Sequence, residues 1–240
     1  MTDHDSILIT TRPELKNSPL KLLPGFSHLN IPLTEIIELE FDSLDFESFS
    51  PDLLIFTSST GVRIFLNKDI SGKYSGAESI CIGKATADAL SGFTGKISLP
   101  DKRDSSGIID LLSGGNYKNR RIALLSSRQS NNFIRNFMAG NSYNFRVYNL
   151  YDALPLKNES IAQYAKRKDV CAIILTSSQE ARVFSKIVDP AICGAKLYAI
   201  GNTTYREMLK LGFKVNAKVG NSEIQELANE IMRSNSGEWI

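Results

Sequence analysis

Two pairs of short segments carry residue types suited to holding an anion. Thr57-Ser58-Ser59 recurs as Thr176-Ser177-Ser178, and Gly83-Lys84-Ala85-Thr86 recurs as Gly201-Asn202-Thr203-Thr204. Each follows a short apolar run and precedes an amphipathic stretch, which places it at the carboxyl end of a strand and the start of a helix. Such a turn presents unpaired backbone N–H groups and the positive end of the helix dipole, so it binds a carboxylate or phosphate without lysine or arginine. The same residues have a plainer reading, in which Thr57, Ser58, Thr176 and Ser177 are helix caps and Gly83 and Gly201 are turn glycines. Recurrence of the Thr-Ser-Ser turn with changed flanks favours a shared task. Arg12 and Arg128 end equivalent apolar runs and are candidate carboxylate ligands or solvated strand-end charges. Neither GxxxxGK[ST] nor GxGxxG occurs, so a nucleotide cofactor lacks its phosphate loop.

The rest of the catalytic repertoire is narrow. There are two histidines, His4 and His28, the second in a stretch read as a loop, which argues against a histidine metal site or a Ser-His-Asp triad. Cys81, Cys171 and Cys193 lack CxxC spacing, and two lie in apolar runs; they read as buried small hydrophobes in a reducing compartment. No metal is expected. Formal net charge is +2, and apart from Arg120-Arg121 and residues 166–168 the basic side chains are scattered. That pattern gives no stripe to track phosphates, so nucleic acid is not an expected partner. No apolar run approaches the roughly 20 residues of a membrane helix, and residues 1–6 do not read as a secretory signal. A cytoplasmic protein without membrane contact is expected.

These turns sit within a longer repeat. Thr57-Ser58-Ser59-Thr60-Gly61-Val62-Arg63-Ile64-Phe65 aligns with Thr176-Ser177-Ser178-Gln179-Glu180-Ala181-Arg182-Val183-Phe184. Ile7-Leu8-Ile9-Thr10-Thr11-Arg12 resembles Ala123-Leu124-Leu125-Ser126-Ser127-Arg128, and Gly92-Phe93 recurs as Gly212-Phe213, all in order and at a near-constant offset. Residues 52–56 and 170–175 are continuous apolar runs, the signature of parallel strands buried on both faces. Residues 79–82 and 197–200 read as further strands, and 85–90 and 204–211 as helices. Strand, turn and helix in alternation predict an α/β fold with doubly wound parallel sheets. Two more β-like stretches, 31–39 and 143–150, stand at matching places and are candidate linkers. With 240 residues the chain is long enough for two domains.

The order of Thr11-Arg12-Pro13, an apolar strand ending in Thr57-Ser58, the turn Ile82-Gly83-Lys84-Ala85-Thr86, the crossover Val147-Tyr148-Asn149-Leu150-Tyr151, a second strand ending in Thr176-Ser177 and the turn Ile200-Gly201-Asn202-Thr203-Thr204 resembles the uroporphyrinogen-III synthase family. The likeness spans residues 7–213. It implies two flavodoxin-like parallel-sheet domains joined by a two-stranded β-ladder. Residues 1–33 with 153–240 would form one domain and 38–150 the other, with linkers near 34–37 and 151–152, so that the repeat is interleaved. It also implies a monomeric lyase of haem biosynthesis that closes hydroxymethylbilane into uroporphyrinogen III in the interdomain cleft, inverting ring D without a cofactor. By motif position the substrate would meet Arg12, Thr57, Ser58, Ser59, Gly83, Thr86, Arg128, Ser177, Ser178, Gly201, Thr203 and Thr204. The resemblance makes Tyr151 a phenolic donor to the departing hydroxyl; a tyrosine after a β run also reads as an interface packer.

Two other functions fit the same residues. A non-catalytic hinge protein sensing a small anion would carry identical turns. A degenerate nucleotide-binding enzyme would need the glycine loop that the sequence lacks.

Overall fold

The computed structural model describes residues 5–14, 19–216 and 223–236; His4 lies outside them. The strands, in chain order, are β1 (Ser6–Thr10), β2 (Phe26–Asn30), β3 (Thr34–Glu38), β4 (Leu53–Phe56), β5 (Glu78–Cys81), β6 (Ile97–Ser98), β7 (Arg121–Ser127), β8 (Asn144–Pro155), β9 (Val170–Leu175) and β10 (Leu197–Ala199). The α-helices are α1 (Ser43–Phe49), α2 (Ser59–Leu66), α3 (Lys84–Ala89), α4 (Ser105–Gly114), α5 (Phe133–Gly140), α6 (Ser160–Tyr164), α7 (Ser178–Ser185), α8 (Asn202–Lys210) and α9 (Ile224–Ser236). The chain divides into two compact units, one of Met1–Glu35 with Leu154–Ile240 and the other of Ile36–Ala153. Residues 34–37 and 151–152 lie within β3 and β8.

In the first unit the sheet runs β10-β9-β1-β2, with all three pairings parallel. Its apolar residues alternate faces along each strand, as the pleat requires. Ile9, Ile173 and Leu175 join Phe184 of α7 and Met208 of α8 on one face. Leu8, Ala172 and Ile174 join Leu227, Ala228 and Ile231 of α9 on the other. That double cover explains why residues 170–175 are apolar without a break.

The second unit's sheet runs β3-β8-β7-β4-β5-β6, parallel from β8 to β6. Leu54, Phe56, Ala123 and Leu125 pack with Phe46 of α1 and Val62 and Phe65 of α2. Leu53, Ile55, Ile122 and Leu124 face Ile108 and Leu112 of α4 and Ile134 and Met138 of α5. At the amino ends of the strands Arg120 donates to Asp52 Oδ1 at 2.7 Å, to Glu78 Oε2 at 2.9 Å and to the Asp52 carbonyl at 2.6 Å. The basic pair Arg120-Arg121 therefore ties strands together at the end opposite the turns.

Two expectations change. His28 lies on β2, not in a loop, and its Nε2 is 2.8 Å from Thr10 Oγ1. The strand escapes sequence reading because β2 is an edge strand, half-buried throughout, whose Phe26-Ser27-His28-Leu29-Asn30 run has neither a continuous apolar run nor clean alternation. Cys81 is fully buried, but Cys171 and Cys193 are only half-buried. Burial pushes the Cys81 thiol up to about 12 and raises the other two as well, so none is an activated thiolate.

Ser79 on β5 is fully buried and its Oγ has no hydrogen-bond partner. Since a buried unsatisfied hydroxyl costs about 1–3 kcal/mol, Ser79→Ala is expected to stabilise the protein by about 1 kcal/mol. Urea unfolding checks this, and a destabilised variant would mean that the hydroxyl has a partner after all.

Candidate functional site

The candidate residues fall at the carboxyl ends of the parallel strands, where open α/β sheets bind ligands. In the first unit the strand order reverses between β1 and β9; in the second it reverses between β7 and β4. At each reversal neighbouring strands lead away in opposite directions, which opens a crevice between their ends.

In the first unit, Ser177 has extended backbone (φ −151°, ψ 157°) and caps α7, its Oγ accepting from the Glu180 N–H at 3.1 Å. Glu180, 1% exposed, sits beneath this turn and accepts hydrogen bonds from at least four groups. These include Thr11 Oγ1 at 2.6 Å, Thr176 N at 2.8 Å, Thr176 Oγ1 at 2.8 Å and Ser177 Oγ at 3.1 Å. Thr11 follows β1 and Thr176 follows β9, so this carboxylate pins the two strand ends together at the reversal. Ser178 Oγ donates to the Thr203 carbonyl at 3.4 Å, joining this turn to the next.

That next turn differs in kind. Gly201 (φ −165°, ψ 169°) precedes α8 without any side-chain cap, leaving the first-turn N–H groups of Asn202, Thr203 and Thr204 directed out of the helix. Thr204 is 4% exposed, and its hydroxyl makes no hydrogen bond to a described residue. Arg12 lies beyond β1, half-buried, its carbonyl accepting from Asn30 Nδ2 at 3.0 Å. Asn30 Oδ1 in turn accepts from Thr10 Oγ1 at 2.8 Å. With that hydrogen committed, Thr10 must accept from His28, which fixes a proton on Nε2. Burial, and then the Arg12 guanidinium, lower the His28 pKa and favour the neutral ring.

In the second unit, Ser58 (φ −164°, ψ 152°) caps α2 through the Gly61 N–H at 3.0 Å, and its Oγ lies 2.8 Å from the Tyr151 hydroxyl. Gly61 stands where the repeat has Glu180. A Cβ there would meet Ser58 Oγ at 3.4 Å and Leu150 Cδ1 at 3.8 Å, so Leu150 of β8 packs beside the glycine where the first unit has its carboxylate. Tyr151 is 5% exposed and packs in the second unit's core. Pairing between β7 and β8 slips at Ser126/Ser127, putting Ser127 opposite Tyr151. A bulge of this kind re-aims side chains, and here it buries Leu150 and Tyr151 consecutively. Thr57 N donates to the Leu125 carbonyl at 3.4 Å, and Ser59 opens α2 half-buried. Gly83 precedes α3 uncapped, and Thr86, 4% exposed, repeats the pattern of Thr204. The Arg103 side chain lies alongside Gly83, 3.7 Å from a built Cβ. Arg128 is largely exposed, with Nη1 3.8 Å from Oδ2 of the buried Asp152.

A family model described as Uroporphyrinogen-III synthase HemD matches residues 23–227. The chain belongs to the uroporphyrinogen-III synthase family. Among solved structures, a mutant uroporphyrinogen III synthase from the extremely thermophilic bacterium Thermus thermophilus matches with a TM-score of 0.60 and 16% identity, over 97% of this chain and 99% of that one. Uroporphyrinogen-III synthetase from Helicobacter pylori matches with a TM-score of 0.66 and 16% identity, over 95% and 98%. At that identity they speak for the fold, which is mixed α/β with parallel sheets. A comparison with curated protein sequences finds no match. Membership places the chain in a family of enzymes of tetrapyrrole biosynthesis. Among the described residues, no three His, Cys, Asp or Glu side chains are grouped as metal ligands, and no helix is long and apolar enough to cross a membrane.

Sequence reading missed Glu180, Asp152 and Arg103. For Glu180 a signal was present, because Ser177 and Glu180 have the S-x-x-E spacing of a capping box. Its link to Thr11, 169 residues away, had none.

Proposed function

We propose that this chain is a uroporphyrinogen-III synthase, a lyase that closes hydroxymethylbilane into uroporphyrinogen III with inversion of ring D and loss of water. Family membership over residues 23–227 carries the reading. The geometry adds turns suited to a substrate bearing a carboxylate-rich rim. Gly83 and Gly201 open helices without side-chain caps, and each is followed by a buried threonine, Thr86 or Thr204. Backbone N–H groups there take the acetate and propionate groups, with Thr57, Ser58, Ser59, Thr203, Arg12 and Arg128 around them.

The reading places the reaction in a cleft between two flavodoxin-like domains, 1–33 with 153–240 and 38–150. The pairing of β1 with β9 and of β7 with β4 supports an interleaved repeat, since each pair joins strands from opposite copies. Ring closure occurs without an enzyme to the wrong isomer, so the protein's task is to fold the bilane for the ring-D route and exclude the direct one. The terminal hydroxyl leaves as water once protonated, and the methylene carbon it leaves behind becomes the electrophile. The substituted α-carbon of ring D bonds to that methylene to give a spiro intermediate; its older bond to the ring-C methylene breaks, the freed methylene rebonds at the unsubstituted α-carbon of ring D, and the proton there is lost. Tyr151, its hydroxyl 2.8 Å from Ser58 Oγ, is the phenolic donor to the leaving oxygen in this reading.

Tyr151→Phe is expected to lower kcat by about tenfold, below the roughly 10²–10⁴ of a fully committed general acid, because this hydroxyl departs readily. Steady-state rates check this; abolished turnover with folding and affinity intact would make the phenol indispensable. The reading itself is tested by bilane consumption. Added protein is expected to consume hydroxymethylbilane faster than it closes alone, and consumption at the spontaneous rate would overturn it.

A further inference from the structure

The two Thr-Ser turns look alike in sequence, yet their hydrogen-bond polarity differs. In the turn between β9 and α7 the Glu180 carboxylate is surrounded by four donors, two on each oxygen. An ionised carboxylate offers lone pairs and no donor, so each of these hydroxyls must give its hydrogen to it. The hydroxyl hydrogens of Thr176 and Ser177 both point inward to Oε1. A hydroxyl carries one hydrogen; with it committed, what the side chain offers outward is lone pairs. Ser177 keeps one, since it also accepts the Glu180 N–H, and Thr176 keeps two. The second unit has Gly61 at the equivalent place, so its turn has no counterpart of the Glu180 carboxylate there, and Ser58 is paired with Tyr151 instead.

We propose that Glu180 is a positioning residue that makes the β9–α7 turn a hydrogen-bond acceptor, receiving pyrrole N–H groups of the substrate and rejecting its carboxylates. The inference rests on the tetrapyrrole reading for the identity of the donor. It removes Ser177 and Ser178 from the anion-binding set and leaves carboxylates to the glycine turns. A linear tetrapyrrole has N–H groups along its inner edge and carboxylates along its outer edge. Turns of opposite polarity therefore distinguish the two edges and set which way the bilane lies. A buried negative charge behind the turn also favours the cationic character that develops as the terminal hydroxyl departs.

Glu180→Gln reverses the polarity with little change in shape. The Thr176 N–H cannot rotate away and needs an acceptor, so the amide oxygen takes the place of Oε2 and the NH₂ faces the Thr176 and Ser177 hydroxyls. Those hydroxyls then accept from the amide and send their own hydrogens outward. For the folded variant, kcat/KM on hydroxymethylbilane is expected to fall about tenfold or more, as for loss of hydrogen bonds to a charge-supported acceptor. An anion-binding turn would respond in the opposite sense, with a lower KM once the negative charge is gone. Unchanged or improved kcat/KM with a retained melting temperature overturns the proposal.

Thr176→Val, which keeps Glu180 and removes the outward lone pairs, gives a second reading if Glu180→Gln does not fold. Its kcat/KM is expected to fall about fivefold or more, and no change overturns the proposal. A titration with propionate, followed through the backbone amide resonances of Thr176 and Ser177, does not depend on turnover. Wild type is expected to show no propionate response there and Glu180→Gln to gain one. A wild-type response, or none in the variant, overturns the inference. Absence of type III product from wild type would instead count against the synthase reading alone.

Discussion

Asn202→Pro is expected to raise the KM for hydroxymethylbilane by about 10- to 100-fold, the equivalent of one lost hydrogen bond to a charged group at about 1.5–3 kcal/mol. Asn202 is the first residue of α8, and its N–H is one of the uncapped donors assigned above to a substrate carboxylate. Proline deletes that donor and little else. The first helical position suits its fixed φ and needs no intrahelical N–H. Gly201 before it is already extended (φ −165°, ψ 169°), the region a residue preceding proline prefers. Thermal stability is therefore expected to hold, or to rise by up to about 1 kcal/mol. Steady-state kinetics beside a melting curve separate the two effects. An unchanged KM in the folded variant would remove the Gly201 turn from the anion site.

Phe46→Ala is expected to destabilise the second unit by about 3–5 kcal/mol, the range for emptying an aromatic site in a packed core. Phe46 on α1 is fully buried, and its ring lies 4.8 Å from Tyr148, 4.9 Å from Tyr74, 5.3 Å from Phe41 and 5.5 Å from Phe65. Four aromatic neighbours from separate segments leave a cavity that cannot collapse without moving several of them. A loss of this size is a large part of the total stability of an ordinary domain. Leu44, on the same helix but 80% exposed, is the control, and Leu44→Ala is expected to change stability by less than about 0.5 kcal/mol. Urea unfolding of the two variants tests the packing; similar values for both would contradict it.

The parts of the fold legible in sequence are those whose signal is local and apolar. Residues 52–56 and 170–175 announce themselves as β4 and β9 because both faces of each strand are covered. The helices after the turns begin within two residues of expectation, since the Thr-Ser and glycine turns are local chemistry. β2 is not legible because an edge strand bearing Ser27, His28 and Asn30 lacks the apolar pattern that marks a strand. For β8 the apolar signal stops at residue 150, whereas the strand runs through Pro155, past the irregularity that buries Tyr151.

For the candidate site, type and spacing bring out both pairs of turns but do not distinguish them. Ser58 and Ser177 are both caps, in nearly the same backbone conformation. What separates them is the residue three positions on, Gly61 or Glu180, and whether the first strand's end reaches it. That Thr11 meets Glu180 is decided by which strand lies next to β9, a long-range fact. His28 beside Thr10 and Asp152 beside Arg128 escape for the same reason.

The central claim, that this chain directs the closure of a linear tetrapyrrole, is tested most directly by the isomer ratio of uroporphyrinogen formed from hydroxymethylbilane as protein is added. The type III fraction is expected to rise with protein concentration until it replaces the spontaneous type I product. A product that stays type I at every protein concentration would contradict the claim.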